Sequence, residues 1–262
     1  MEKINFETKE NIPKYNITKV DFIRHGSTKY EENNLSKEEK DLLGENIPLD
    51  LTPEGEEEVK KSAEEIIKKI NPEKEIVVLW SSPAWRAQGS ESIINQMLNN
   101  AGILVYKDSS INQMRSFDQY DKDYMDSVWK KIAPIGTSSE LLYARDPEFQ
   151  SRNDKFESQP EVKERAEQVF NWIRYLNEHI NLEDKNLHII GASHFEFLNP
   201  IMEDIFDFRV ENGDAFKKGE NISIQFNFNK ETKETSITAD FRGVHKEGII
   251  FDPIKRKFSL LP

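Results

Sequence analysis

The apolar run Val20-Asp21-Phe22-Ile23 stops at Arg24-His25-Gly26, and no other feature constrains the fold of this chain so tightly. A strand that ends this way delivers a cation and an imidazole together to one edge of a sheet. The glycine lets the backbone turn sharply and lets a ligand come close. Two further junctions repeat the pattern. Ile76-Val77-Val78-Leu79 reads as a buried strand, bounded by Asn71-Pro72 before it and Ser81-Ser82-Pro83 after it. Ser82 then reads as a helix N-cap and Pro83 as the first helical residue, which puts Arg86 in the first turn. The run Leu187-His188-Ile189-Ile190-Gly191-Ala192 likewise ends on Ser193-His194. In open parallel α/β sheets ligands bind at the carboxyl ends of the strands. Two arginines, two histidines and helix N-termini gathered there describe a phosphate site.

The rest of the chain supplies the helices such a sheet requires. Leu51-Thr52-Pro53-Glu54-Gly55 opens one, with Thr52 as N-cap and Val59, Ala63, Ile66, Ile67 and Ile70 at helical spacing. A second helix spans about 83–100, and Ile103-Leu104-Val105 follows as a strand. Residues 107–157 read as an irregular, aromatic-rich insertion of cap type. Ser158 and Glu161 then form a capping box for a long helix whose stripe is Val162, Ala166, Val169, Phe170, Ile173 and Leu176. From about 221 to 261 polar and apolar residues alternate, as in hairpin strands. Residues 1–17 form a polar lead-in. The expected fold is a single α/β domain over residues 1–262. It is a three-layer sandwich with a mostly parallel central sheet covered by helices on both faces, plus antiparallel C-terminal hairpin strands.

Composition narrows the partners. With 36% hydrophobic and 32% charged residues, the chain reads as a globular protein without a bilayer-spanning run or a signal peptide. The absence of cysteine removes thiol catalysis and cysteine-ligated zinc, and suits a reducing, cytoplasmic setting. A net charge of −12 disfavours nucleic acid, and it requires any phosphate affinity to come from a local cationic pocket. No clustered histidine or carboxylate set stands at metal-ligand spacing, so neither metal nor cofactor is expected.

The set Arg24-His25-Gly26, Ser82-Pro83 with Arg86, and Ser193-His194 resembles the histidine phosphatase superfamily, the phosphoglycerate-mutase-like fold. The likeness covers about residues 18–210 and includes Leu51-Thr52-Pro53-Glu54-Gly55, which resembles that family's Leu-Thr-x-x-Gly helix entry. The resemblance implies His25 as nucleophile, His194 as its partner across the pocket, and Arg24 and Arg86 as phosphate clamps. It also implies that Asn33 contacts the phosphate. A neutral imidazole can attack phosphorus, and arginine presents a planar fork to phosphate oxygens. His179, His188 and His245 read as structural or solvent-exposed.

One position departs from the pattern. A phosphatase needs an acid to protonate the leaving oxygen. The resemblance implies a glutamate in the loop after the third strand, where this chain has Gln113. Gln113 keeps a substrate-binding role, and two carboxylates stand in as acid candidates. Asp118 lies in the same loop, and Glu196 follows His194 as His-Phe-Glu, similar to the His-x-Glu of some phytase-type members. Glu196 is preferred because Phe195 and Phe197 would desolvate it and keep it protonated. The implied activity is metal-independent hydrolysis of a small organic phosphate ester through phosphohistidine. A catalytically weak phosphate-binding scaffold and a phosphoglycerate-type mutase are the alternatives. Oligomeric state is not encoded in any of these features.

Overall fold

The computed structural model describes residues 14–29, 51–132, 139–252 and 257–260. Eight strands form one sheet in the order β3-β2-β4-β1-β5-β6-β7-β8. In the parallel half are β1 (Tyr15–Arg24), β2 (Glu75–Ser81), β3 (Val105–Ser110) and β4 (Asn186–Ser193). The antiparallel half is β5 (Asn221–Asn229), β6 (Thr235–Phe241), β7 (Val244–Asp252) and β8 (Lys257–Leu260). The register aligns Arg24 with Ser193 and Ser81 with Ala192, so the three junctions of the sequence meet at one edge.

Helices cover both faces. On one side α1 (Pro53–Ile67) and α2 (Trp85–Asn100) pack Val59, Ala63, Ile66, Ile94 and Leu98 onto Ile23, Val77, Leu79 and Ile190. Next come α3 (Lys122–Ile132), α4 (Ser139–Arg145) and the single turn α5 (Pro147–Gln150), which lie within residues 107–157. Met125, Val128, Tyr143, Phe149, Phe156 and Val162 form their own small core. The opposite face of the sheet carries α6 (Gln159–His179) and α7 (Phe195–Phe206), which bury Phe170, Ile173, Phe197 and Leu198 against Phe22, Ile189 and Phe226.

Thr52 caps α1 as expected, its side chain accepting from Gly55 N, and the Ser158–Glu161 capping box starts α6. Two local expectations are corrected. The third strand is Val105–Ser110 rather than 103–105: Ile103 is buried in the preceding turn, while the edge strand itself is largely exposed and has no apolar run to mark it. The helix after β2 begins at Trp85 with Ala84 at the N-cap; Ser82 Oγ accepts from Ala84 N at 3.3 Å ahead of the helix and also meets His194 Nε2 at 2.7 Å.

Glycine at two positions follows from the packing of α1 on the first junction. A Cβ on Gly26 would collide with the Gly55 carbonyl, and one on Gly55 with the backbone of Ser27. The two segments therefore touch backbone to backbone. Thr52 N donates to Ser27 O at 2.9 Å and Gly26 N to Ser90 Oγ at 3.3 Å, so α1 and α2 both brace the turn.

Candidate active site

The expected convergence is present. The His25 and His194 rings lie 5.1 Å apart, centroid to centroid, at 61°. His25 N donates to Ser193 O at 2.9 Å, which ties the β1 junction to the end of β4. His25 Nδ1 lies 2.8 Å from Gly26 O. A carbonyl only accepts, so the proton is on Nδ1 and Nε2 carries the lone pair. His194 is fixed at both nitrogens: Arg86 Nε donates to Nδ1 at 3.2 Å, and Nε2 meets Ser82 Oγ at 2.7 Å. This is the neutral tautomer with the proton on Nε2.

Burial pushes both imidazoles well below the ordinary histidine pKa, and the charges of Arg86 and Arg24 push in the same direction. The pair is thus held neutral beside two guanidinium groups. Arg24 is 6% exposed, donates through Nη1 to Phe216 O at 2.6 Å and lies 5.5 Å from the Phe195 ring centroid. Its main chain is clamped on both sides, N to Glu220 O and O to Gly219 N.

The two acid candidates separate by environment. Arg115 grips Asp118 with Nε at 2.9 Å and Nη2 at 2.5 Å, and this pairing lowers the Asp118 pKa. Glu196, in the first turn of α7, is raised by burial against the opposing pull of its own backbone N–H, Arg24, Arg86 and a Ser116 hydrogen bond. Of the two, only Glu196 lies in surroundings that raise its pKa and so favour the protonated form. Gln113 is exposed on the single 3₁₀ turn Asn112–Met114, and its carbonyl accepts from Arg165 Nη1 at 2.5 Å. The cleft beside Arg86, about 230 Å³, is lined instead by Pro83, Ala84, Arg115, Ser116, Phe117 and Asp118. Asn33 lies outside the described residues.

Arg165 and Ser116 were not anticipated from the sequence. Arg165 is buried and donates to the carbonyls of Gln113, Arg115 and Ser116, while Glu157 pairs with its Nε and Nη2 at 2.7 Å each. It fastens the 113–116 loop to α6. Its trace in the sequence is a charge at position 165, on the helix face shared by Val162 and Val169.

His188 is buried and structural, its ring 2.7 Å from both Glu75 Oε2 and Asp21 Oδ2. His179 and His245 are exposed. A groove of about 720 Å³ is lined by Asp21, His188, Ser223, Gln225 and Asp240 among others, and neither His25 nor His194 lines it. It is the solvated polar face of an antiparallel sheet. Among the described residues no three His, Asp or Glu side chains stand together to hold a metal ion, and no helix is long and apolar enough to cross a membrane.

The sequence matches the family described as histidine phosphatase superfamily (branch 1) over residues 20–235. No curated protein matches it. A mycobacterial glucosyl-3-phosphoglycerate phosphatase complexed with VO3 superposes with a TM-score of 0.51 at 13% identity, covering 84% of this chain and 96% of that one. A structure described as mycobacterial hydrolase 1 gives a TM-score of 0.52 at 12% identity, covering 87% and 99%. At these identities the likeness is one of fold.

Proposed function

The chain belongs to the histidine phosphatase superfamily, and on that premise we propose that it is a metal-independent phosphomonoesterase acting on a small organic phosphate through a phosphohistidine at His25. One observation carries the reading: the His25 contact to Gly26 O puts its proton on Nδ1 and the lone pair on Nε2, beside a second neutral imidazole and within the field of Arg86 and Arg24.

In the first step Nε2 attacks phosphorus and the P–O ester bond breaks. Glu196 gives its proton to the departing oxygen, which leaves as the alcohol. The guanidinium groups of Arg24 and Arg86 neutralise the equatorial oxygens, and this electrostatic support supplies most of the rate gain. His194 positions Arg86 and Ser82 across the pocket. In the second step the Glu196 carboxylate takes a proton from water, whose oxygen bonds to phosphorus as the P–N bond breaks. Inorganic phosphate departs and both groups return to their starting states. Two arginines supply the charge that a metal would otherwise bring. The cysteine-free sequence accords with a cytoplasmic setting.

The test is hydrolysis of an activated aryl phosphate in the presence of a chelator, comparing wild type with His25→Ala. An aryl leaving group departs without much help from an acid, so this isolates the nucleophile. The expected result is chelator-resistant turnover that vanishes in the variant. A second reading, a phosphate-binding scaffold with little turnover, is favoured by Gln113 at the glutamate position and by the 3% exposure of His25. It would give vanadate binding with no turnover in either protein. Phosphoryl transfer between the positions of a phosphoglycerate would instead indicate a mutase.

A further inference from the structure

The cleft beside Arg86 carries a second guanidinium, Arg115, whose charge is cancelled where it stands. Arg115 Nε donates to Asp118 Oδ1 at 2.9 Å and Nη2 to Asp118 Oδ2 at 2.5 Å, a bidentate fork on one carboxylate. Asp118 is itself fixed. Its N donates to Glu157 Oε2 at 3.2 Å, and its carbonyl accepts from Glu157 N at 2.8 Å. Glu157 in turn meets Arg165 with both carboxylate oxygens. Two guanidinium groups and two carboxylates thus join in one network, and the pairing with Arg115 holds the Asp118 carboxyl below the usual carboxylate range.

Arg86 is different. It hydrogen-bonds a neutral imidazole, and among the described residues no carboxylate pairs with it. The cleft therefore has a net cation on one side and a charge-neutral wall on the other. That wall keeps its hydrogen-bonding capacity. Arg115 has spent three of its five N–H donors, and each Asp118 oxygen keeps a lone pair. Phe117 adds an apolar ring, held by stacking on Tyr143 at 4.7 Å between centroids. At about 230 Å³ the cleft is smaller than the roughly 300–1,000 Å³ typical of drug-sized sites.

With the phosphate on Arg86, the leaving group faces this wall. A polyol or a single sugar ring matches it, with hydroxyls donating to Asp118 and accepting from Arg115 while the C–H face lies on Phe117. A second anionic group does not match it. Such a group would give up water for a guanidinium already neutralised and would meet the Asp118 charge.

We propose that the Arg115–Asp118 pair selects a neutral, hydroxylated leaving group, so that the substrate is the monophosphate of a small polyol or sugar rather than a phosphorylated carboxylate or a bisphosphate. Asp118 determines this specificity by turning an anion receptor into a hydroxyl receptor. The inference rests on the phosphatase reading with His25 as nucleophile.

Glycerol 3-phosphate and 3-phosphoglycerate form a matched pair, a hydroxymethyl group in one standing where the other has a carboxylate. Phosphate release from each gives kcat/KM, with an aryl phosphate as reference. Wild type is expected to favour glycerol phosphate by about 10-fold or more, because juxtaposed like charges are costly. Asp118→Asn keeps the shape and removes the charge. It is expected to lower that preference about 10- to 100-fold, the range for a hydrogen bond to a charged group. Asp118→Glu keeps the charge and is expected to keep the preference.

Equal or better use of phosphoglycerate by wild type would overturn the proposal, as would use of neither ester by an enzyme that hydrolyses the aryl phosphate. Both outcomes are read without a variant, so misfolding of Asp118→Asn leaves the test intact. An unchanged ratio in folded Asp118→Asn would also overturn it, and so would loss of the preference in Asp118→Glu. In each case His25-dependent aryl turnover would show that the phosphatase reading stands. Absence of aryl turnover in wild type would end both.

Discussion

Arg86 Nε lies 3.2 Å from His194 Nδ1, so the guanidinium that lines the cleft is oriented by the very imidazole whose pKa it depresses. The arrangement depends on a planar fork with one N–H turned inward and the others outward. Arg86→Lys keeps the charge and loses that fork. It is expected to lower kcat/KM for an aryl phosphate by about 100- to 1000-fold, the usual cost of one preorganised donor to a developing oxyanion. Steady-state kinetics check this, with circular dichroism to show that the fold persists.

The pH profile follows from three shifted groups. His25 and His194 stay neutral below the ordinary histidine value, so the nucleophile is lost only as pH falls well under 6.5. Glu196 holds its proton above the ordinary 4.5, so the acid is lost as pH rises through its raised value. Alkyl phosphate hydrolysis is expected to peak on the acid side of neutrality. With an aryl phosphate the alkaline limb should flatten, because that leaving group needs little acid. An alkyl profile that climbs steadily from pH 5 to pH 8, values chosen to span about one unit or more either side of a free histidine, would contradict the assignment.

His188 bears on stability. Burial works against its charge, but hydrogen bonds to Asp21 and Glu75 outweigh that and leave its pKa raised. A raised folded pKa contributes stability that is complete below the unfolded value and fades as pH climbs through the folded one. His188→Gln is expected to cost about 3–5 kcal/mol at mildly acid pH, the range for stripping one member from a buried ionic cluster. The deficit should shrink under alkaline conditions. Urea unfolding at several pH values measures it.

Gly55→Ala tests the backbone contact between α1 and the first junction. The added methyl group meets the Ser27 backbone, which no rotamer change can relieve. An overpacking cost of about 1–3 kcal/mol is expected, with weaker vanadate binding because the turn beside His25 must shift. Thermal melting and vanadate titration report the two effects separately.

The strand ends were legible because buried parallel strands are written as short apolar runs, and Arg24, Arg86 and His194 sit directly after them. Thr52 and Ser158 were legible as caps because capping chemistry is local. Ser82 looked like a cap for the same reason and misled, since a hydroxyl's partner 112 residues away leaves no local trace. The third strand was misplaced because an exposed edge carries polar residues where a central strand carries valine and isoleucine. Ser116 and Arg165 reach the site only through the packing of the 113–116 loop on α6, which no spacing along the chain encodes.

Arg24 is translated 192 residues before Phe216, yet its side chain and main chain are held by Phe216, Gly219 and Glu220. On a ribosome, β1 emerges with its arginine and histidine long before the residues that fix the arginine exist. The aim of its guanidinium is therefore a late acquisition of the growing chain. A nascent polypeptide stalled before residue 216 carries the Arg-His-Gly sequence without the Phe216 carbonyl that holds that guanidinium. Synthesis of the arginine and its fixation are separated by 192 residues of chain.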